Sequence, residues 1–493
     1  MLGFAASSFA CGDDTTGLGG TGGSGGAGGG GAGGEPAALV PEAGFIEVGP
    51  NGVGPNWTGR MFYSFRPADE DPAHKPLMLF FNGGPGSATT GTLMVYHTGP
   101  YTLDADGPVD FEPVLNDESY TRFANLLYID ERMAGFSYGL QDTMGNPECV
   151  DDTAMYLADA GDYVFALLQF LDSHPALTSA PVTVVGESYG GTRAPLMLHM
   201  LQHYAVAPDP PIPELADVDT RVPWLRDRVQ AHFDLLDGEA AGAPRTPDEV
   251  AVQFGRMVLI QPSFAGPFQL MFQKDYMAAD PDFAAFLADQ TAYDPYDVRE
   301  PPTYSSDLTY RSAAALLDPA RLALLLGVEP VDVVGLQASE RNHPYRHLEG
   351  YDRDFLVQSE SQLRAALGEL ESDDSYWLPL ASACIGLVGD TAVANAFIKL
   401  FERTRVFITN ARWDATIYTE AFPALFGLAG FTAEIDTTLP VGADRPGVLR
   451  LTSQTDGTVY ELRFPTYEAG HMVTTSSGAE LGRDVEAWLA DNP

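Results

Sequence analysis

A β-branched run, Val182-Thr183-Val184-Val185, stops at Gly186-Glu187-Ser188-Tyr189-Gly190-Gly191 and gives way to a helical pattern that continues to Leu201. This is a strand, a sharp turn and a helix, with G-x-S-x-G at the turn. A turn this tight calls for glycine on both sides of it. It lifts the Ser188 hydroxyl above a sheet and points the following helix N-terminus at it. The positive helix end and its N–H groups favour an oxyanion such as forms in acyl transfer. Any Gly-x-Ser-x-Gly can arise in an ordinary turn, so the motif gains its meaning from the chain around it.

That chain reads as an α/β protein. Phe45, Ile46 and Val48, then Met61, Phe62, Tyr63 and Phe65, alternate around a Gly/Pro/Asn turn as an opening antiparallel hairpin. Residues 76–81 (PLMLFF), 125–130 (NLLYID), 256–261 (RMVLIQ) and 405–409 (RVFIT) are short continuous apolar runs, the signature of strands buried on both faces. An amphipathic helix is expected over 151–172, paired strands over 448–451 and 459–464, and a final helix over 481–489. Strands alternating with helices imply a mostly parallel sheet covered on both faces. The pattern changes between Pro262 and Arg405, where helical stretches near 309–327, 355–371 and 389–402 alternate with Pro- and Asp-rich loops. This insertion is expected to cap the sheet's carboxyl edge, where ligands bind in such folds. The expected division is therefore 1–16 as an export signal, 17–44 as a linker, 45–262 and 405–493 as the two parts of the core, and 263–404 as a helical cap. Residues 206–250 form a second, more polar insertion.

The formal net charge of −41 argues against nucleic acid or an anionic membrane surface as a partner. The first ten residues are small and apolar, and Cys11 follows Ser8-Phe9-Ala10 as at a bacterial lipoprotein cleavage site. No Lys or Arg precedes this run and it is short, which leaves room for a start upstream of Met1. From 17 to 34, 13 of 18 residues are Gly, giving a tether with a mean span of about 23 Å. An apolar start, a cysteine and a tether predict an exported protein, lipid-anchored through Cys11 at a bacterial cell envelope or secreted. Cys149 and Cys384 remain; outside the cytoplasm they could pair, but sequence gives no distance.

A hydroxyl near neutral pH needs an adjacent base, itself oriented by an acid. The chain order expected on this scaffold is Ser, Asp, His. Asp414 lies just beyond RVFIT, in NARWDATI, and His471 lies in a Gly-containing loop before the last helix. His199 and His203 have a metal-compatible i, i+4 spacing, but a third ligand is not apparent, and they read as helix-face residues. No metal or organic cofactor is expected.

FFNGGPGS (80–87), NLLYIDERMAGFSYG (125–139), GESYGG (186–191), NARWD (410–414) and AGHMV (469–473) together resemble, in order and spacing, the serine carboxypeptidase family. Matching blocks spread from about residue 45 to 490. The resemblance implies an α/β-hydrolase fold with a helical cap. It implies Ser188 as nucleophile, His471 as general base and Asp414 as its orienter. It further implies backbone N–H groups of Gly84 and Tyr189 as the oxyanion hole, and Asn82, Gly83 and Glu187 as the clamp on a substrate's free carboxylate. The family's second clamp glutamate corresponds to His97, which would then face Glu187 and take a raised pKa. Phe80, Ser87 and Thr474 also depart from the family pattern.

The expected activity is release of C-terminal residues from peptides through an acyl-enzyme. An esterase or acyltransferase on the same scaffold is the alternative. A non-catalytic surface binding protein is a further one, which loss of Ser, Asp or His would have favoured.

Overall fold

The computed structural model describes residues 38–49, 59–83, 88–103, 112–131, 134–139, 155–288 (without 210, 213–214, 217, 239–241 and 265), 319–329 and 396–491 (without 415–416). Its main sheet contains β1 (Glu42–Val48), β2 (Gly59–Arg66), β3 (Leu77–Phe81), β4 (Asn125–Ile129), β5 (Val182–Glu187), β6 (Arg256–Ile260), β7 (Arg405–Ile408), β8 (Phe431–Asp436), β9 (Val448–Ser453) and β10 (Val459–Arg463). Their spatial order is β1-β2-β4-β3-β5-β6-β7-β10-β9-β8. The run from β4 to β10 is parallel, and antiparallel hairpins close both edges.

The continuous apolar runs produce this arrangement because each strand fills two cores at once. Leu77, Leu79 and Phe81 enter one cluster, while Met78 and Phe80 enter the cluster on the opposite face. Val184 against Val185 and Val406 against Phe407 divide in the same way. Helices α1 (Met155–Ser173) and α2 (Gly190–Gln202) cover the first face, joined by α3 (Leu225–Asp237) and α4 (Pro247–Gln253). The buried residues of α3, namely Leu225, Val229, His232 and Phe233, recur at helical spacing. Thr246 and Glu249 form a reciprocal capping box that starts α4.

In the segment read as a cap, α5 (Gly266–Ala279), α6 (Pro281–Ala288), α7 (Pro319–Leu326) and helical residues 396–400 are described. Leu322, Leu325 and Leu326 of α7 join the second face. The helix expected over 355–371 lies outside the described residues. After α8 (Phe422–Leu428), strand β8 was not anticipated from sequence; the last helix, α9 (Gly478–Ala490), starts three residues earlier than expected. Strand order and the parallel centre make this an α/β-hydrolase fold.

Candidate active site

Ser188 directly follows β5 and has φ 55°, a left-handed conformation uncommon for a residue with a side chain. Hydrogen bonds hold it there. Its N–H donates to Ile260 O (2.9 Å), and its carbonyl accepts from the N–H groups of Gly191 and Ser263 (both 2.8 Å). The surrounding glycines serve close approach rather than backbone freedom. A Cβ on Gly186 would lie 2.5 Å from Gly190 O, and one on Gly191 would lie 2.4 Å from Pro262 Cβ. At Gly190 the nearest atom would be in the Phe81 ring, at 3.4 Å. The tight position on the helix side is therefore Gly191, and the turn's strain sits on the serine itself.

Gly83, two residues beyond β3, is pressed against this turn. A Cβ there would come within 2.6 Å of Glu187 O, Ser188 Cβ and Tyr189 N. The Gly83 N–H donates to Asn82 Oδ1 (2.7 Å), and Asn82 Nδ2 donates to Thr92 Oγ1. The expected clamp donors are thus engaged in shaping their own loop. Gly84 lies outside the described residues, as do Cys11, Cys149 and Cys384.

A fully buried arginine ties this loop to the helix that follows Ser188. Arg193 donates to Asn82 O (2.7 Å), to Glu131 Oε2 (2.8 Å) and to both Asp159 oxygens (2.8 and 3.1 Å). Its guanidinium carbon stands 4.6 Å from the Tyr163 ring centre and 5.1 Å from that of Tyr189. Asp130 organises the next stretch by accepting from Thr90 N, Thr90 Oγ1 and Phe136 N (2.8–2.9 Å). Burial still pushes its carboxyl up to about 6.

His471 Nδ1 is 2.8 Å from Asp414 Oδ2, with both residues buried. Asp414 Oδ1 also accepts from Ile417 N (2.9 Å), and Oδ2 from Gln261 Nε2 (2.8 Å). Burial lowers the pKa of His471, but the charge and hydrogen bond of Asp414, with Glu187, outweigh it and raise it. Glu187 is buried and its Oε2 has no hydrogen-bond partner among the described residues. Burial, reinforced by Asp414 and opposed by His471, lifts its carboxyl to about 7.

His97 does not take the place expected for it. It too is left-handed (φ 56°), and its ring packs on Gly478 at the start of α9: a Cβ on that glycine would meet His97 Cβ at 2.4 Å and Cγ at 3.0 Å. The charges acting on Glu187 are those of His471 and Asp414, and burial alone lowers the pKa of His97 where a raised one was expected. His199, on α2, and His203, just after it, have tilted rings with centres 4.7 Å apart, and burial, with His203 and Lys399, lowers His199 to about 3.

Gln261, Arg193, Glu131 and Asp159 were not singled out from sequence. The one available signal was the placement of Asp159 within the apolar stripe of α1.

The α/β-hydrolase fold thus carries a strained serine directly after β5 and a buried Asp–His pair. Over residues 35–212 the chain matches the serine carboxypeptidase family model. A vacuolar serine-type carboxypeptidase of Saccharomyces cerevisiae, ATG42, is 34% identical over 153 residues, 29% of this chain and 27% of that protein. Human CPVL, a probable serine carboxypeptidase by name, is 32% identical over 148 residues, 29% and 28% of the two chains. The chain thus matches under a third of the length of these relatives. The crystal structure of a prohormone-processing carboxypeptidase of S. cerevisiae, Kex1, aligns over 92% of both chains with a TM-score of 0.42 and 11% identity.

Proposed function

We propose that this chain is a serine-type carboxypeptidase. Ser188 Oγ attacks the scissile carbonyl while His471 takes its proton, and Asp414 steadies the imidazolium. The N–H groups of Tyr189 and Gly84 receive the oxyanion. His471 then protonates the leaving amine, which departs as the free C-terminal residue. Water, deprotonated by His471, attacks the acyl-enzyme and releases the shortened peptide with Ser188 restored. The core of 45–262 and 405–493 supplies these groups, and 263–404 caps them.

Glu187 carries this reading. A buried carboxyl with an unpartnered oxygen, directly before Ser188, with its pKa at about 7, is protonated below that pH. It then offers a donor to a substrate's terminal carboxylate. Ionised, it repels that carboxylate. Asn82 and Gly83, engaged with one another, shape the wall against which the carboxylate sits.

The sign of the pH dependence follows. Activity on free-acid peptides rises as His471 loses its proton and falls as Glu187 loses its own. Because the two groups interact, the limbs belong to the pair. Matched esters and amides have no terminal carboxylate, so they keep the acid limb and lack the upper one near pH 7. kcat/KM against pH for blocked peptides as free acid, amide and ester tests this. Identical profiles, or esters preferred at every pH, would point instead to an esterase or acyltransferase.

We also infer, from the sequence around Cys11, export with a lipid anchor. Mass spectrometry of the mature N-terminus should find an acylated cysteine; an unmodified, soluble wild-type protein rules the anchor out.

A further inference from the structure

Gln261 immediately follows β6 and is fully buried, with φ 45°. Like Ser188 on the neighbouring strand, it holds a left-handed conformation that a β-carbon makes costly. Its side chain is used to the full. Nε2 donates to Asp414 Oδ2 (2.8 Å) and to Ile417 O (3.1 Å). Oε1 accepts from Ala411 N (2.8 Å) and Thr409 Oγ1 (3.0 Å), and the Gln261 backbone N–H donates back to Thr409 Oγ1 (2.9 Å). Every one of these partners lies on the 409–417 segment that carries Asp414.

Two facts separate this from ordinary packing. Gln261 shares with His471 a single oxygen of Asp414, since both approach Oδ2 at 2.8 Å. It also binds the segment on both sides of Asp414, at Ala411 and at Ile417, so the carboxylate cannot rotate without breaking the amide's bonds.

We propose that Gln261 is a positioning residue: it fixes the orientation of Asp414 and, by donating to the oxygen that faces His471, limits how strongly Asp414 holds the imidazolium. This rests on the reading of Ser188, His471 and Asp414 as a reacting triad. Among the described residues, Asp414, from the loop after β7, and Glu187, at the end of β5, are the charged groups that act on His471. Removing the amide takes one donor away from Oδ2, the oxygen that His471 also meets. The imidazolium is then favoured, and the pH at which His471 becomes a competent base rises.

Two variants are needed because the amide also satisfies buried backbone groups. Gln261→Met keeps the volume and removes both donor and acceptor. Gln261→Asn tolerates the left-handed backbone and stays polar, but is one methylene too short to reach Asp414. The readout is the rate at which a serine-reactive phosphonate labels Ser188 as a function of pH, alongside NMR titration of the His471 ring. Both variants should move the acid limb and the His471 titration upward by about one pH unit. Labelling at the plateau should fall roughly 10- to 100-fold. A folded variant that labels slowly with an unmoved limb and unmoved titration overturns the proposal and leaves the triad standing. Wild-type protein whose Ser188 is not labelled at any pH overturns both. If Gln261→Met does not fold, Gln261→Asn decides.

Discussion

Two buried acidic sites abut the Asn82–Gly83 segment, and they are built in opposite ways. On one side, Glu131 and Asp159 surround Arg193, which donates to both of them and to the Asn82 carbonyl while its face lies on two tyrosine rings. On the other, Glu187 has no arginine or lysine partner among the described residues, and its pKa is displaced to about 7. Depth does not distinguish them, since all three carboxylates are buried. What differs is whether a permanently charged arginine is paired with the acid. Where it is, ion pairs at 2.8 Å and the arginine's bond to Asn82 hold a loop in place. Where it is not, the acid is held near the point of protonation, available to a group arriving from outside.

The largest expected effect tests whether the Glu187 side is a reaction site at all. Ser188→Ala should lower turnover by roughly 10³-fold or more, with the circular dichroism spectrum unchanged. Near-normal turnover would remove the chemistry from this side of the comparison. Next comes Arg193→Met, which strands two carboxylates in the interior. Urea denaturation should show a loss of about 3–5 kcal/mol, and changing Glu131 and Asp159 to apolar residues at the same time should restore much of it. A fully stable single variant would show that the cluster is not needed to hold the loop. Glu187→Gln should leave stability within about 1 kcal/mol, because an amide replaces a carboxyl that is neutral below pH 7. Its signature is kinetic: hydrolysis of free-acid peptides should lose its upper pH limb and persist into alkaline solution. An upper limb that stays in place would assign that limb to another group. The smallest effect is expected at His97. With its ring against Gly478, His97→Gln should change the ratio of free-acid to ester kcat/KM by less than about twofold. A selective loss on free acids would return His97 to the carboxylate site.

Much of this was legible before the structure, for a definite reason. Leu77–Phe81 and Asn125–Ile129 are apolar at every position or nearly so, and a short strand with no polar face fits only at the centre of a covered sheet. Ser188 and Asp414 each follow a strand readable in the sequence, and the Asp414–His471 hydrogen bond joins two residues expected to act together. Strand β8 was missed: FTAEID offers one buried position in six, as expected of an exposed edge hairpin. The supporting side chains were missed because their bonds are long-range. Gln261 meets Asp414 across 153 positions and Arg193 meets Asn82 across 111, and nothing local in either sequence announces such a partner. His97 was misplaced because its orientation depends on a left-handed backbone that its neighbours do not encode.

The steric roles of the glycines around Ser188 also bear on how the chain can vary over generations. A library randomised across 186–191 and sorted for function should return glycine at 186 and 191 almost without exception. Alanine should be admitted at 190, where its methyl would rest against the Phe81 ring at an ordinary contact distance. The glycine that completes the five-letter signature is then the replaceable one, and the residue just outside the signature is not. Searches that insist on the shorter pattern will pass over descendants that keep the chemistry, while a glycine required at the sixth position would find them.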